Sequence, residues 1–387
     1  MRASGIYLLS LSSLVLGAAV RRSSSNGTGG ALYLLENNPA GANIVSLGIN
    51  SDGTLGAPVR TSTGGTGLVG TGNQGPVQVD SLFSQDAVHV AGEHLFTVNA
   101  GSSSIAYFHI PPNDPTHPVL VGEPASTRGD VPNSVAYSPK HKLVCATNTG
   151  PRAGVSCFSI TENGLTPSGA FMPLPLNQTS PPTGPPNTFS DIVFNPAQTT
   201  LFVTLKGDGV NPGSIFAFPV SGAGVVSPKP RVSRPAELLT DFAMSFINDT
   251  HAFVADPAYG GSFVRVGCGL DVSVTRKVTI PGQVAACWSR YDARRDEVLV
   301  FDAGVSDITA VAAQSGEIAR NITGVAEAMG QFDAVLRGDR LYVLENAPGI
   351  GVYALAGANG TSILQNFDLS AFGKRQFFQG LAIYPSA

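Results

Sequence analysis

The sequence is poor in charge and lacks the common catalytic motifs. Only 13% of its 387 residues are charged, about half of the usual quarter, and the formal net charge is −4. Nucleic acids bind to clustered Lys and Arg that neutralise phosphates, so no nucleic-acid partner is expected. No HExxH, CxxC, GxSxG, EF-hand or phosphate-loop motif occurs. The enzyme classes that those motifs mark are therefore not expected.

Glycine and proline are abundant instead. The chain contains 45 Gly and 28 Pro, with 43% apolar residues, which is typical of many short strands joined by tight turns. This composition predicts an all-β protein.

The N-terminus predicts secretion. A basic start at Arg2 precedes an apolar run at residues 6–16, which is too short to span a bilayer, and a dibasic pair follows at residues 21–22. We interpret residues 1–22 as a signal peptide with a possible dibasic processing site, followed by a short disordered segment and one domain over residues 31–387. No membrane span is expected. A secreted, extracellular glycoprotein would also account for five Asn-x-Ser/Thr sequons, at Asn26, Asn177, Asn248, Asn321 and Asn359.

A short pattern recurs seven times along the chain. LLENNPAGANIV at residues 34–45 returns as VLENAPGIGVYAL at residues 343–355. Each copy is an apolar strand, a polar residue, a turn and a second apolar strand. The polar residues recur about every 43 to 63 positions, a period typical of four-stranded propeller blades. They are Glu36, Asn99, Asn148, Lys206, Asp256, Asp302 and Glu345.

Another short strand precedes most of these hairpins, and the missing one is found at the C-terminus. QGLAIYPSA at the chain end matches NSVAYSP at residues 133–139. We therefore predict one seven-bladed β-propeller, closed by the C-terminal strand in the first blade. A two-sheet sandwich is the alternative, but it does not explain the recurring hairpin. The predicted blades are 379–386 with 31–63, then 84–127, 131–176, 188–233, 239–282, 284–324 and 330–370.

Two insertions and four cysteines complete the prediction. The insertions at residues 64–79 and 179–188 are expected to be surface loops that overhang one face. Cys145 and Cys157 are equidistant from a turn and are expected to form a disulfide. Cys268 and Cys287 would then link blades 5 and 6. Four free thiols are the alternative.

The predicted propeller collects polar residues around one channel mouth. The starts of the inner strands contribute Asp86, Asn133, Asp191, Asp241 and Asp333, which would join the seven hairpin residues. Such a ring suits a hydroxylated or lactone ligand, or a metal ion held by oxygen atoms. No cofactor is expected, although this composition leaves a metal ion open. The alternative is structural, because Asp and Asn at turns commonly bond to nearby backbone amides.

Several segments resemble the lactonase-type seven-bladed propellers. They are VPNSVAYSPKHKLVCATN, GPPNTFSDIVFNPAQTTLFV, VNAGSSSIAYF and FVTLKGDG. That group includes bacterial phosphogluconolactonase and fungal carboxymuconate-lactonizing enzyme, and the secreted fungal carboxymuconate cyclase-like branch is the most similar. The resemblance implies a propeller and lactone or cyclisation chemistry. Both histidines of the family pattern are absent, since Asn133 and the segment Pro186, Asn187 and Thr188 stand in their places.

Two functions follow from this reading. The first is a secreted lactonase- or cyclase-like enzyme acting on a small lactone or carboxylate at the channel mouth. In it Arg128 would orient a carbonyl group, and Asp191 or Asp241 would transfer the proton. Ligand contacts are expected from Asn133, Asn187, Asn148, Lys206 and Asp333. The second is a non-catalytic adhesin- or effector-like glycoprotein that binds a carbohydrate or a protein. A monomer is the default expectation.

Overall fold

The computed structural model describes Met1 and residues 29–356 and 360–385. The predicted signal peptide and the sequons at Asn26 and Asn359 lie outside the described residues. In the part of the chain that is described, no helix is long and apolar enough to cross a membrane.

The chain folds into a seven-bladed β-propeller, as the sequence predicts. Each blade is an antiparallel sheet whose strands run from the central channel outward. From the inner to the outer strand, blade 1 contains Phe378–Tyr384, Ala31–Glu36, Asn43–Ile49 and Leu55–Ser62; blade 2 contains Val88–Ala91, His94–Asn99, Ser104–His109 and the short outer pieces Val119–Leu120 and Ala125–Ser126; blade 3 contains Pro132–Ser138, Leu143–Asn148, Gly154–Thr161 and Gly164–Pro167, with Met172–Pro173 beside them; blade 4 contains Phe189–Phe194, Thr200–Leu205, Ser214–Pro219 and Arg231–Ser233; blade 5 contains Met244–Asn248, His251–Asp256, Gly260–Val266 and Val272–Thr279; blade 6 contains Ala286–Asp292, Glu297–Asp302, Val305–Ala312 and Ile318–Ile322; blade 7 contains Gln331–Arg337, Arg340–Glu345, Gly349–Ala354 and Ser362–Asp368.

Burial follows the position of a strand within its blade. Every residue of Ala31–Glu36 and of Leu143–Asn148 is buried, because both faces of these second strands pack against neighbouring blades. Such strands appear in the sequence as continuous apolar runs. In the outer strand Val272–Thr279, exposed side chains predominate, since only one face meets the core. Three short 3₁₀ turns complete the described structure, at Ala326–Ala328, Ser370–Phe372 and Arg375–Phe377.

The C-terminal strand closes the ring. It pairs antiparallel with the first strand of the chain, with Leu32 opposite Ile383 and Glu36 opposite Phe378. A propeller closed in this way leaves no open sheet edge between its first and last blades.

The insertion between blades 1 and 2 covers one end of the channel. We call this end, where the inner strands begin, the upper mouth, and the end where they finish the lower mouth. A small hairpin of Thr71–Gly72 and Gly75–Pro76 is held by the second insertion, because Thr71 N donates to the Pro182 carbonyl at 2.8 Å and Gly184 N donates to the Thr71 carbonyl at 3.0 Å. A Cβ on Gly184 would lie 2.8 Å from the Phe83 ring, so this close approach requires glycine.

After this hairpin, residues 80–86 enter the channel, and we call them the channel segment. The sequence analysis expected surface loops and did not foresee this entry. The segment bonds across the ring: Ser84 Oγ donates to the Asn133 carbonyl at 2.6 Å and Gln85 N donates to the Ser190 carbonyl at 2.8 Å. On the opposite side, Trp288 Nε1 donates to the Ser84 carbonyl at 3.3 Å. The channel is therefore filled by the protein's own backbone.

One predicted disulfide is confirmed and the other is wrong. Cys145 and Cys157 lie directly opposite each other in the strand pair and are bonded. Cys268 and Cys287 are both free, the first exposed and the second buried. Cys268 follows the third strand of blade 5, whereas Cys287 lies near the start of the inner strand of blade 6. In an up-and-down blade these two positions belong to opposite faces, which is why the two thiols do not meet.

Candidate functional site

The hairpin carboxylates mostly serve the blades themselves. Asp256 accepts hydrogen bonds from the backbone N–H of Thr240 and Ala258, each at 3.0 Å. Asp302 accepts three from backbone N–H groups of its own loops, at 2.8 to 2.9 Å, and Glu36 pairs with Arg60 at 2.7 Å. The structure thus does not gather eight carboxylates around one opening. The structural alternative describes these three residues.

The two asparagines of blade 3 are likewise engaged. Asn133 donates to the carbonyl oxygens of Leu82 and Phe189 at 3.3 and 2.7 Å, and its oxygen accepts from Thr147 Oγ1 at 2.9 Å. Asn148 donates to the Gly154 carbonyl at 3.3 Å within its own hairpin, while its side-chain oxygen has no partner among the described residues. Asn133 therefore holds the channel segment against blade 4, and its amide has no donor left for a ligand.

The predicted catalytic trio is not brought together. No hydrogen bond or ion pair joins Arg128, Asp191 and Asp241 within the described residues. Arg128 lies half-buried on the connection to blade 3 and donates to the Gly169 carbonyl at 3.1 Å. Asp241 is buried, and neither of its carboxyl oxygens has a partner there. Burial and the neighbouring Asp256 raise the pKa of Asp241 well above its usual value.

Asp191 and Asp333 belong instead to a charged cluster inside the channel. Arg290 Nη2 contacts Asp333 Oδ1 at 2.7 Å and also pairs with Asp86. Asp191 Oδ2 accepts from Met244 N at 3.0 Å. Burial raises the pKa of Asp333 to about 7 and raises that of Asp191 well above its usual value. This cluster fixes the lower end of the channel segment, because Asp333 also accepts a hydrogen bond from Asp86 N at 2.9 Å.

Asn187 lies at the rim of the upper face. Its backbone is left-handed, with φ of 57°, and its carbonyl accepts from Gln178 Nε2 at 3.1 Å. It lines an open groove of about 590 Å³ together with the sequon residue Asn177. The groove is formed by loops and contains none of the predicted acids.

A cavity with aromatic walls lies at the upper mouth, and we call it the mouth cavity. It has a volume of about 550 Å³ and is bounded by Phe83, Phe242, Trp288 and Phe332, with residues 72–79 along one side. The indole of Trp288 packs against Phe242 and Phe332 with ring centroids 4.8 and 4.5 Å apart. A concave apolar space with few polar groups is the usual form of a small-molecule site.

Asp80 supplies a carboxyl group to the wall of this cavity. Its Oδ1 accepts a hydrogen bond from Ser84 N at 3.2 Å. Burial raises the pKa of Asp80 to about 7, although the positive charges of Lys206 and Arg375 oppose the shift. A carboxyl group that titrates near neutral pH beside an apolar cavity is suited to general acid–base chemistry.

Two buried cations lie behind these walls. Lys206 Nζ donates to the Phe83 carbonyl at 2.7 Å and to Thr188 Oγ1 at 3.0 Å, and it lies 4.5 Å from the Phe242 ring centroid. Burial lowers the pKa of Lys206 to about 7. Arg375 lies 4.5 Å from the Phe332 ring centroid, donates to two backbone carbonyls and leaves Nη2 without a partner among the described residues.

Sequence reasoning missed Asp80 and Arg375. Asp80 lies in a Gly-rich insertion that was interpreted as a surface loop, and Arg375 precedes the closing strand. One signal was present, since Leu82 and Phe83 are the apolar residues of an otherwise polar stretch, DSLFSQD. Two adjacent apolar residues in a loop indicate burial. Across the described ranges, no group of three or more His, Cys, Asp and Glu residues is arranged to hold a metal ion.

The fold and the cavity define the chain as a closed seven-bladed propeller with a small-molecule-sized cavity at its upper mouth. No protein-family model matches the sequence, and no curated protein matches it either. Solved structures do match in fold.

A protein from Lactobacillus plantarum is 15% identical with a TM-score of 0.64, and the match covers 92% of this chain and 99% of that one. The periplasmic gluconolactonase of Pseudomonas aeruginosa is 14% identical with a TM-score of 0.63, over 91% and 99%. A Bacteroides fragilis protein described provisionally as a 6-phosphogluconolactonase is 12% identical with a TM-score of 0.62, over 93% and 99%. At these identities the similarity is one of fold.

Proposed function

We propose that the protein is a lactonase-type hydrolase that opens a small, uncharged lactone in the mouth cavity, with Asp80 as the general base. The observation that carries this proposal is the position of Asp80, whose carboxyl group has a pKa of about 7 and lies in the wall of an aromatic cavity of about 550 Å³. The sequence analysis expected such chemistry at this mouth but assigned it to Arg128, Asp191 and Asp241.

The proposed reaction is ester hydrolysis. The Asp80 carboxylate accepts a proton from a water molecule as the water oxygen bonds to the lactone carbonyl carbon. The ring C–O bond then breaks, and the proton on Asp80 passes to the leaving alkoxide, which gives a hydroxy acid. Lys206 and Arg375 lie near Asp80, and their positive charges would stabilise the negative charge that develops on the carbonyl oxygen.

The cavity supports an uncharged substrate. Its rings offer stacking surfaces, and both neighbouring cations are largely committed to backbone carbonyls. A phosphorylated substrate would need free Arg or Lys donors, which the cavity lining does not supply. The fold similarity to a gluconolactonase and to a protein described as a 6-phosphogluconolactonase supports lactone chemistry in general, although fold alone does not determine function.

The test is hydrolysis of a panel of γ- and δ-lactones by the wild-type protein and by Asp80→Asn. The wild type should hydrolyse at least one uncharged lactone, with kcat/KM rising as pH increases through about 7, because the carboxylate is the active form. Asp80→Asn should lose activity about 10²- to 10⁴-fold. Asp241→Asn is the matched control, since Asp241 is an equally buried carboxyl group that does not line the cavity. Equal activity of wild type and Asp80→Asn would refute the assignment.

A non-catalytic binding glycoprotein is the second candidate. It is favoured by the loss of the family histidines, because Asn133 stands at one of those positions and serves only structural bonds. Under this alternative the mouth cavity or an outer face would bind a carbohydrate or a protein without turnover. Saturable binding of lactones with no product at any pH would favour this candidate over the hydrolase.

A further inference from the structure

The lower mouth of the channel contains a second, separate cavity, which we call the lower cavity. Its volume is about 200 Å³, and it is lined by the ends of the inner strands of blades 2, 3 and 4 and by the turns that follow them. The channel segment and the Arg290 cluster separate it from the mouth cavity. Since drug-sized pockets begin at roughly 300 Å³, this space fits one ring-sized molecule.

Three polar side chains of the lower cavity have no hydrogen-bond partner. The His89 ring nitrogens, the Tyr137 hydroxyl and Gln198 Nε2 line the space and make no hydrogen bond to any described residue. The other side of Gln198 is fixed, because its Oε1 accepts from Ser138 Oγ at 2.6 Å and from Lys140 N at 2.9 Å. Buried polar groups are normally paired, so these three are available to a ligand.

The charges around the lower cavity favour a neutral ligand. Arg290 is already paired with both Asp86 and Asp333, so it has little attraction left for an anion, and the nearby carboxyl groups would repel one. Burial lowers the pKa of His89, and Asp86 and Arg290 act on it in opposite directions. His89 is therefore neutral at neutral pH, with one donor and one acceptor nitrogen.

We propose that the lower cavity binds a neutral polyhydroxylated ring such as a hexose. Hydroxyl groups both donate and accept, which matches an imidazole, a phenol, an amide NH₂ and the Asp86 carboxylate arranged around one space. The apolar ring face of the sugar would pack against Tyr137 and Phe194, which also line the cavity. This site does not depend on the hydrolase proposed for the upper mouth.

The test compares glucose, gluconate and glucosamine as neutral, anionic and cationic probes, by isothermal titration and saturation-transfer NMR. Glucose should bind saturably with a Kd on the order of 1 mM, and the two charged probes should bind more weakly. Tyr137→Phe removes only the hydroxyl group and should weaken glucose binding by about 2- to 12-fold, the value of one hydrogen bond. His89→Ala should weaken it at least as much.

Two controls make the result decisive. Tyr107→Phe also removes one phenolic hydroxyl, but that hydroxyl bonds to His94 at 2.8 Å and does not line the cavity, so binding should be unchanged. Asp80→Asn alters only the upper mouth and should also bind normally. The proposal is overturned if glucose does not saturate the wild type at about 50 mM, far above the expected Kd. It is also overturned if a charged probe binds as tightly as glucose, or if Tyr137→Phe and Tyr107→Phe bind alike.

Discussion

Lys206 Nζ lies 2.7 Å from the carbonyl oxygen of Phe83, so a buried lysine of blade 4 fastens the channel segment. The segment needs this support because Phe83 adopts a left-handed backbone with φ of 54°, a conformation unfavourable for a bulky residue. Asp80 and Asp86 share that conformation, with φ of 47° and 57°. The position of the proposed base at Asp80 therefore depends on an anchor 123 residues away.

Replacing this lysine should loosen the channel segment. Lys206→Met keeps most of the side-chain volume but leaves the buried Phe83 carbonyl without its donor, which should lower the free energy of unfolding by about 1–3 kcal/mol. Urea unfolding measures the loss. The only tryptophan, Trp288, is a local reporter, because its indole bonds to the Ser84 carbonyl of the same segment, and its emission should shift to the red.

Lys229→Met is the control for this experiment, because Lys229 is an exposed lysine of the same blade. It should leave both the unfolding free energy and the emission unchanged. If the two variants unfold alike, Lys206 does not hold the segment.

The repeat alone predicted the fold, whereas the contents of the channel could not be predicted. Seven hairpins and the match of QGLAIYPSA to NSVAYSP give blade number and closure, because hydrophobic period and turn residues are local properties. The path of residues 80–86 depends on bonds to blades that are distant in sequence, such as the one between Ser84 and Asn133. Repetition also explains why polar residues at equivalent positions suggested a ring. At Asp256 and Asp302 the repeated feature is a backbone-binding turn.

The buried carboxyl groups should make the protein more stable in mild acid. Burial raises the pKa of Asp333 from 3.8 to about 7 in the folded state, so between these values the folded state binds more protons than the unfolded state. Stability then falls as pH rises through this window. Lys206 has the opposite effect above about 7, because its folded-state pKa is lowered.

Urea unfolding at pH 5 and pH 7.5 measures this effect. We expect a free energy of unfolding that is larger at pH 5 by roughly 1–3 kcal/mol. Asp333→Asn should reduce the difference, whereas the exposed Asp271→Asn should preserve it. A protein that is equally stable at both pH values would contradict the assignment of these carboxyl groups as protonated in the fold.

The two free cysteines should react at different stages. Cys268 is exposed, whereas Cys287 is buried and its pKa is raised well above the usual value by burial. A thiol reagent should therefore modify one cysteine in the native protein and a second only after unfolding, since the thiolate is the reactive form. Mass spectrometry of the labelled peptides identifies them. Labelling of neither residue in denaturant without reductant would show that the two form a disulfide after all.

Secretion is the remaining proposal, and the exposed sequons give its test. Asn177, Asn248 and Asn321 are all exposed. At Asn248 the side-chain oxygen caps the turn by accepting from Thr250 N at 3.1 Å and His251 N at 3.0 Å, which leaves Nδ2 free for a glycan. Expression in a eukaryotic secretory host should give a protein in the medium that begins after residue 22 and loses mass with a glycosidase that cleaves N-linked glycans. Asn177→Gln, Asn248→Gln and Asn321→Gln should each remove one glycan. Retention of the full chain inside the cell, with residues 1–22 still attached, would contradict the signal peptide and with it the proposed extracellular site of action.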